Sequence, residues 1–251
     1  MFKNIFKVRI LIILLVPCQF VLSQSKDIFI YNANGSRDIF DVSKVDSITF
    51  VDAGVADIDG NTYQTVLIGN QRWMAENLKV THYRNGDAIP NVTDAPEWSN
   101  LTTGAYCNYD NDANNAVTYG SLYNWYAVND SRNIAPEGWH VPSDVEWQTL
   151  VDYLGGYSVA GGKMKETGTT HWNSPNTGAT NESGFSALPG GYRHYATGGY
   201  SALGTNGYFW SSTEEYSAYV YYWFLYQNYS FVTQDVSFNW QRGFSVRCVR
   251  D

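Results

Sequence analysis

Eight consecutive residues near the C-terminus, Tyr219 to Tyr226, are all aromatic or aliphatic (YVYYWFLY). Successive side chains of a strand point to opposite faces of a sheet, so a strand with one solvated face alternates apolar and polar residues. This segment has no alternation, and burying both faces would leave several tyrosine hydroxyls in need of hydrogen-bond partners. It therefore predicts a strand whose rings are partly buried and partly exposed.

The composition of the whole chain favours short strands and loops over long helices. Of 251 residues, 9 are Trp, 20 are Tyr, 12 are Phe and 22 are Gly, and only 16% are charged. This excludes an intrinsically disordered chain, a coiled coil and a helical bundle. The net charge of −8 argues against nucleic acid or anionic lipid as a partner. No apolar run reaches the roughly 18–20 residues that a membrane span needs.

Residues 1–23 are predicted to be a secretory signal peptide. A positive segment (Lys3, Lys7, Arg9), an apolar core (Ile10 to Val16) and a cleavage after Ser23 support this interpretation. A lipoprotein attached through Cys18 fits less well, because Pro17 stands where a lipobox needs Gly, Ala or Ser. The sequence thus predicts a secreted or cell-surface protein.

Residues 24–54 are predicted to be a small β-hairpin unit and a linker. Two strands, Asp27–Tyr31 and Arg37–Phe40, flank Asn34-Gly35, a dipeptide that favours a two-residue hairpin turn. A third strand is expected at Ser47–Phe50. This unit is too small to bury a core of its own.

The main domain is predicted to occupy residues 55–251. A hairpin is expected from Tyr63 to Ala75, turning at Gly69-Asn70, and a short helix from Ser121 to Val128. A second helix begins after Ser143, which forms a capping box with Glu146, and ends at Gly155-Gly156. Short strands and long loops should follow. One contiguous core is expected from Trp139, Trp147, Leu150, Phe185, Leu188, Trp210 and Phe244.

Catalytic and metal-binding motifs are scarce. The four histidines (His82, His140, His171, His194) have no metal-site spacing, and no hydrolase elbow or nucleotide-binding motif occurs. Asp110, Asp112 and Asn114 alternate oxygen ligands as in the start of an EF-hand loop, but Asn115 and Ser121 depart from that pattern at positions six and twelve. An Asn/Asp-rich turn is favoured and calcium is the alternative; no other cofactor is expected.

The candidate ligand-binding residues lie in the C-terminal region, which is rich in Tyr, Ser, Asn and Trp. This is the composition of antibody-like binding surfaces, where tyrosine gives a large contact area at low entropic cost. If exposed on one face, these side chains would bind protein or stack on sugar rings. The alternative is that they fill a second core. The residues are Tyr216, Tyr219, Tyr221, Tyr222, Tyr226, Asn228, Tyr229, Asn239 and Trp240.

Removal of the signal peptide would leave two cysteines, Cys107 and Cys248. Export to an oxidising compartment favours a disulfide between them, and two buried free thiols are the alternative.

Seven sequence blocks carry a resemblance to a known family. Read in order, they resemble the Fibrobacter succinogenes major paralogous domain over about residues 55–251. The resemblance implies an α+β, C-type lectin-like fold related to formylglycine-generating enzymes: a twisted antiparallel sheet, two helices and long loops on one face. Residues 27–50 resemble the short hairpin unit of exported Bacteroidetes-type proteins. The blocks are Asp57–Tyr63, Trp73–Leu78, Tyr119–Trp125, Gly138–Asp144, Ser183–Gly191, Trp210–Ser212 and Gly243–Val249.

The resemblance also bears on function. Ala135 stands where many members have cysteine, and the resemblance then pairs Cys107 with Cys248. The enzyme branch binds copper through two nearby cysteines, which this chain lacks, and the sugar-binding motifs of true C-type lectins are also missing. We therefore expect an exported, non-catalytic module that binds a protein or carbohydrate. A catalytic domain of the enzyme branch and a structural surface protein are the alternatives. Related C-type lectin-like domains include targets of diversity-generating retroelements, which vary Tyr, Asn and Ser codons in this C-terminal region.

Overall fold

A computed structural model describes residues 27–31, 36–41, 54–216 and 218–251. The chain divides into two compact units, residues 1–51 and residues 52–251. In the first unit, strands β1 (Asp27–Tyr31) and β2 (Arg37–Asp41) pair antiparallel, with Phe29 opposite Ile39. The predicted signal peptide, the Asn34-Gly35 turn and the strand at Ser47–Phe50 lie outside the described residues.

The second unit mixes helices and sheets, so the protein is α+β. Its α-helices are α1 (Ala95–Ser99), α2 (Ala113–Tyr119), α3 (Trp125–Val128), α4 (Asp144–Tyr153) and α5 (Tyr157–Met164), with a 3-10 helix at Tyr109–Asn111. Its strands are β3 (Val55–Ala56), β4 (Thr62–Tyr63), β5 (Thr65–Ile68), β6 (Gln71–Met74), β7 (Tyr106–Cys107), β8 (Leu122–Tyr123), β9 (Trp139–His140), β10 (Gly190–Arg193), β11 (Tyr200–Leu203), β12 (Asn206–Tyr216), β13 (Tyr219–Tyr226), β14 (Val232–Ser237) and β15 (Val249–Arg250).

The strands form two principal sheets. One has the order β11-β10-β12-β13-β14 and the other β5-β6-β15-β9. Their pairings are antiparallel except that of β10 with β12, which is parallel at Gly191 and Gly207. The predicted hairpin at Gly69-Asn70 is confirmed as β5–β6, with Ile68 opposite Gln71.

Helix α4 has the predicted beginning and end. The Ser143 hydroxyl accepts a hydrogen bond from the Glu146 amide at 3.3 Å, and the Glu146 carboxylate accepts one from the Ser143 amide at 2.8 Å. Gly155 and Gly156 follow the helix with φ of 102° and 91°, a conformation that favours glycine. The capping box is thus confirmed.

The prediction of two helices was wrong, since the described residues contain five. The segment expected to be a helix from Ser121 is strand β8 followed by the single turn of α3. Helix α5 was missed because Gly161 and Gly162 disfavour a helix in isolation. They are required by packing: a Cβ on Gly161 would lie 2.3 Å from the carbonyl oxygen of Phe231.

Strand β13 is buried on both faces along its central part. Tyr222 and Phe224 point to one face and Trp223 and Leu225 to the other, and none is more than 9% exposed. The Tyr222 hydroxyl donates to the Asp235 carboxylate at 2.9 Å, which satisfies it inside the protein. The lack of alternation in the sequence therefore reflects a strand between two cores.

The expected single core is divided into separate clusters. The Phe244 core includes Trp139, Trp210, Tyr222, Phe224, Phe244 and Cys248. The Trp147 core, on the opposite face of β13, includes Trp147, Leu150, Phe185, Phe209, Trp223 and Leu225. A third cluster, the Trp98 core, includes Val92, Trp98, Cys107, Tyr109 and Leu122. Leu188, which was predicted to be core, is only half-buried.

We predict that Trp147→Ala lowers the free energy of unfolding by about 3–5 kcal/mol, because it opens a cavity in the Trp147 core. The Trp147 ring lies 4.9 Å from Trp73 and 5.7 Å from Phe209, and its side chain is fully buried. Denaturant unfolding measures the change. Val145→Ala, on the same helix and 73% exposed, is the control and should change stability by less than about 0.5 kcal/mol. Similar effects of both changes would contradict this prediction.

Candidate ligand-binding surface

The structure separates the predicted ligand-binding residues into two groups. Strand β13 has eight residues, and at about 3.4 Å per residue its ends are about 24 Å apart. One group lies where β13 meets β12: Tyr216, Tyr219, Tyr221, Asn239 and Trp240. The other lies where β13 leads to β14: Tyr226, Asn228 and Tyr229. Tyr222 is buried between them. The nine residues therefore do not form one continuous surface.

Aromatic rings become exposed at the β12–β13 end because α4 covers only part of that face of the sheet. The Asp144 carboxylate, at the first residue of α4, accepts hydrogen bonds from the Trp223 indole at 3.0 Å and the Gln234 amide at 2.8 Å. Tyr221 and Tyr219 continue the same face beyond Trp223 and are only half-buried. Helix α4 thus begins beside Trp223, which is the last fully buried ring on this face of the sheet.

Three rings form what we call the hairpin patch: Tyr216, Tyr219 and Phe238. The ring centroids of Tyr216 and Tyr219 are 5.4 Å apart with an interplanar angle of 38°. Those of Tyr219 and Phe238 are 5.9 Å apart at 58°. Tyr216 is 63% exposed and Phe238 is 62% exposed. Adjacent exposed rings of this kind are typical of interaction sites.

Phe238 was missed by the sequence analysis. Val220 pairs with Ser237, so the next residue of the β14 segment, Phe238, comes beside Tyr219. The only signal in the sequence was a single aromatic between two polar residues, Ser237 and Asn239.

Two glutamates adjoin the hairpin patch. The Glu214 carboxylate accepts a hydrogen bond from the Ala218 amide at 2.8 Å and so closes the turn between the strands. The Tyr221 hydroxyl donates to the Glu215 carboxylate, and this hydrogen bond raises the pKa of Tyr221 to about 12. Both glutamates are exposed. The patch therefore combines rings with negative charge.

Trp240 lies outside the hairpin patch and stabilises the turn between β12 and β13. Its indole donates to the carbonyl oxygen of Ala218 at 2.7 Å, and its ring packs against Trp125 at 4.5 Å and Tyr126 at 5.2 Å. These contacts join it to the Phe244 core. Asn239, whose amide donates to the Ser237 hydroxyl, is also half-buried.

The rings at the other end of β13 pack on one another. Tyr229 stacks on Phe231 with centroids 4.5 Å apart and an interplanar angle of 20°, and it meets Tyr226 edge-on at 5.8 Å. The carbonyl oxygens of Tyr226 and Tyr229 each accept a hydrogen bond from the buried Lys165 ammonium at 2.9 Å. Tyr229 is 49% exposed. The contacts with Phe231 and Lys165 therefore hold Tyr226 and Tyr229 in place.

The Asp110–Asn114 segment has the contacts of a turn. Asp112 caps α2, and its carboxylate accepts hydrogen bonds from the amide and the side chain of Asn114 at 2.9 Å. Asp110 is in the left-handed conformation with φ of 53°. Throughout the described ranges, no group of three or more His, Cys, Asp or Glu side chains is placed to hold a metal. Calcium binding, the alternative to a turn in the sequence analysis, is not tested by these contacts.

The predicted disulfide is not formed in this structure. Cys107 and Cys248 are both free thiols, fully buried and in different clusters, the Trp98 core and the Phe244 core. Burial raises the pKa of Cys107 to about 11 and also raises the pKa of Cys248. Each cysteine behaves as a small apolar side chain of its own core.

A cleft of about 300 Å³ between Glu76, Lys79, Thr118 and Glu166 is a weaker candidate site. Its two carboxylates already interact with other groups of the domain. The Glu76 carboxylate accepts from the Gln64 amide at 3.0 Å, and the Glu166 carboxylate contacts His171 at 2.8 Å. The hairpin patch is therefore the better candidate, although it is a surface and not a cavity.

The family model of the Fibrobacter succinogenes major domain matches residues 66–250. The chain belongs to this family. No curated protein and no solved structure matches it. Within the part of the chain that the structure describes, no helix has the length and apolarity to cross a membrane.

We predict that both buried thiols resist alkylation in the folded protein, since the thiolate is the reactive form and burial disfavours it. Iodoacetamide labelling followed by peptide mass spectrometry should find Cys107 and Cys248 unmodified before unfolding and modified after it. A disulfide-linked peptide containing both residues would contradict the prediction.

A second prediction concerns pH. Both imidazole nitrogens of His140 contact carboxylates, Glu146 at 2.8 Å and Asp251 at 2.7 Å. The hydrogen bond to Glu146 raises the pKa of His140. Burial alone would raise the pKa of Glu146, but hydrogen bonds from His140 and Ser143 outweigh burial and lower it to about 2.

The His140 contribution to stability is present below its unfolded pKa of about 6.5 and is lost as the pH rises through the higher folded value. The Glu146 contribution is present above its unfolded pKa of about 4.3 and is lost as the pH falls through the lowered folded value. His140→Asn should therefore destabilise the protein most between about pH 4.5 and 6.5 and least near pH 9. Urea unfolding of both proteins across this range measures the difference. A pH-independent difference would contradict the prediction.

Proposed function

We propose that this protein is an exported or cell-surface, non-catalytic module that binds a protein or glycan through the hairpin patch. The observation that carries the proposal is the exposure of Tyr216 and Phe238, at 63% and 62%. Many other large rings of the domain are buried in three cores, and Tyr153, which is as exposed as Tyr216, lies apart on α4. Exposing two neighbouring rings leaves apolar surface in water, and covering them with a ligand would remove it.

The proposal includes a C-type lectin-like framework with a signal peptide before it. The mixed architecture, the predominantly antiparallel sheets and the family membership support such a framework. A domain of this kind would hold its binding surface on a rigid sheet, which is how loop-borne sites are usually positioned.

The absence of catalysis is also part of the proposal. Cysteine chemistry needs an accessible thiolate, and Cys107 and Cys248 are buried in separate cores with raised pKa values. These thiols are thus poorly suited to the chemistry of the enzyme branch. Fold alone implies no activity.

The proposal predicts that Tyr216→Ala combined with Phe238→Ala abolishes ligand binding while the protein stays folded. Central aromatic residues of an interface each contribute about 2 kcal/mol or more. Their replacement on an exposed surface should change stability by about 0.5 kcal/mol or less per site. A ligand is first found by probing glycan and surface-protein arrays with the protein, and the variant is then titrated with it.

Tyr153→Ala is the matched control, because Tyr153 is also an exposed tyrosine (65%) and lies on α4. It should bind the ligand as the original protein does. Full binding by the double variant would refute the hairpin patch as the site. A failure of every array to yield a ligand would favour a structural protein without a discrete ligand.

A further inference from the structure

We infer that the hairpin patch binds a cationic segment of a partner protein, a stretch that presents Arg or Lys side chains. This inference rests on the proposed function, because it names the ligand class of the same site. Three observations carry it: the tilt of the rings, the charge beside them, and the open shape of the surface.

The rings are tilted to one another and form no flat platform. The interplanar angles are 38° for Tyr216 and Tyr219 and 58° for Tyr219 and Phe238. A sugar ring stacks best on a flat aromatic face, so it could stack on at most one ring of the patch. A cation is attracted to any ring face within about 6 Å of the centroid. Centroid separations of 5.4 and 5.9 Å allow one cationic group to contact two rings at once.

Negative charge adjoins the rings. Glu214 and Glu215 directly precede Tyr216, and neither forms an ion pair among the described residues. Among the described residues, the Asp144 carboxylate, on the same face of the sheet, hydrogen-bonds only to the neutral side chains of Trp223 and Gln234. After the hydrogen bond to Glu215, the charges of Glu215 and Asp144 also raise the pKa of Tyr221. The potential at this surface is thus negative.

This combination discriminates between classes of ligand. An acidic ligand would be repelled, and a neutral glycan would cover the glutamates without compensating their charge. An Arg or Lys side chain can lie against a ring and pair with a carboxylate at the same time. The net charge of −8 would also draw a basic partner toward the domain.

The patch is an exposed strand end and not a pocket, which favours side chains displayed on a protein over a small free amine. A small ligand usually needs a concave site that covers most of its surface. A protein segment can instead place successive basic side chains over Tyr216, Tyr219 and Phe238 and gain contact area around them.

The probe is a peptide of alternating Arg and Gly, compared with the same peptide carrying citrulline in place of each Arg. Citrulline keeps the shape of the side chain and removes its charge. The full chain should bind the Arg peptide about tenfold or more tightly than the citrulline peptide, and the affinity should fall at high salt. Calorimetric titration measures both, and a neutral linear oligosaccharide is titrated in parallel.

Variants locate the interaction. Glu215→Gln and Phe238→Ala should each weaken binding of the Arg peptide. Glu137→Gln, an exposed carboxylate elsewhere, and Tyr153→Ala should leave it unchanged. Thermal unfolding confirms that each variant is folded. An equal loss in Glu137→Gln and Glu215→Gln would mean attraction by net charge alone, and would overturn the inference.

The remaining outcomes separate this inference from the function it rests on. If the oligosaccharide binds, Phe238→Ala abolishes that binding and the Arg peptide fails to bind, then the cationic ligand is wrong and the hairpin patch remains the site. If an array ligand binds and the double variant Tyr216→Ala, Phe238→Ala binds it equally well, then the patch itself is wrong. Selective binding of the Arg peptide that depends on Glu215 and Phe238 supports the inference.

Discussion

Two arginines and one lysine are completely buried in this domain, and within the described residues none of them forms an ion pair. A buried charge is costly unless every donor finds an acceptor. Here most of the acceptors are backbone carbonyls. Arg193 donates to the carbonyls of Gly198, Val92, Thr93 and Asp94. Arg247 donates to Met74 and Phe185 carbonyls and to the Asn77 side chain. Lys165 donates to the carbonyls of Thr177, Tyr226 and Tyr229.

These three buried cations hold the long loops in place through their hydrogen bonds. Each joins chain segments that are distant in sequence. The arginines also lie over rings of the cores, Arg193 at 4.4 Å from Trp98 and Arg247 at 4.4 Å from Phe185. Burial lowers the pKa of Lys165 to about 8, yet its three hydrogen bonds suit the ammonium form. The cations thus connect loops to cores.

The sequence predicted the features that depend on local rules. The capping box of α4 and the β5–β6 hairpin follow from neighbouring residues, and both are present. The sequence did not predict the features that depend on tertiary packing. The glycines that disfavour a helix at α5 are there because backbone comes too close for a Cβ, that of Phe231 at Gly161 and that of Gly178 at Gly162. The burial of Arg193 and Lys165 was equally beyond the sequence, since arginine and lysine are usually solvated and the partners of these two are backbone carbonyls.

The candidate site likewise has a part that the sequence predicted and a part that depends on tertiary structure. The sequence located the aromatic region, but strand geometry separated Tyr219 from Tyr226 by the length of β13. Register added Phe238, a residue that composition alone did not single out. The sequence predicts that a substantial share of the unalternating run is exposed. Much of it is core, because α4 and α5 lie on one side of β13 and the Phe244 core lies on the other.

The turn beneath the hairpin patch is fixed independently of the rings that the patch displays. Ala218 adopts φ of 77°, a conformation that is unfavourable for a residue with a Cβ. Both of its backbone groups are held: the amide donates to Glu214, and the carbonyl accepts from the Trp240 indole. Trp240 in turn packs on Trp125 of the Phe244 core. The turn is therefore fixed by contacts that do not involve the rings of Tyr216, Tyr219 or Phe238. Those rings are free to differ in chemistry while the backbone that displays them keeps its shape.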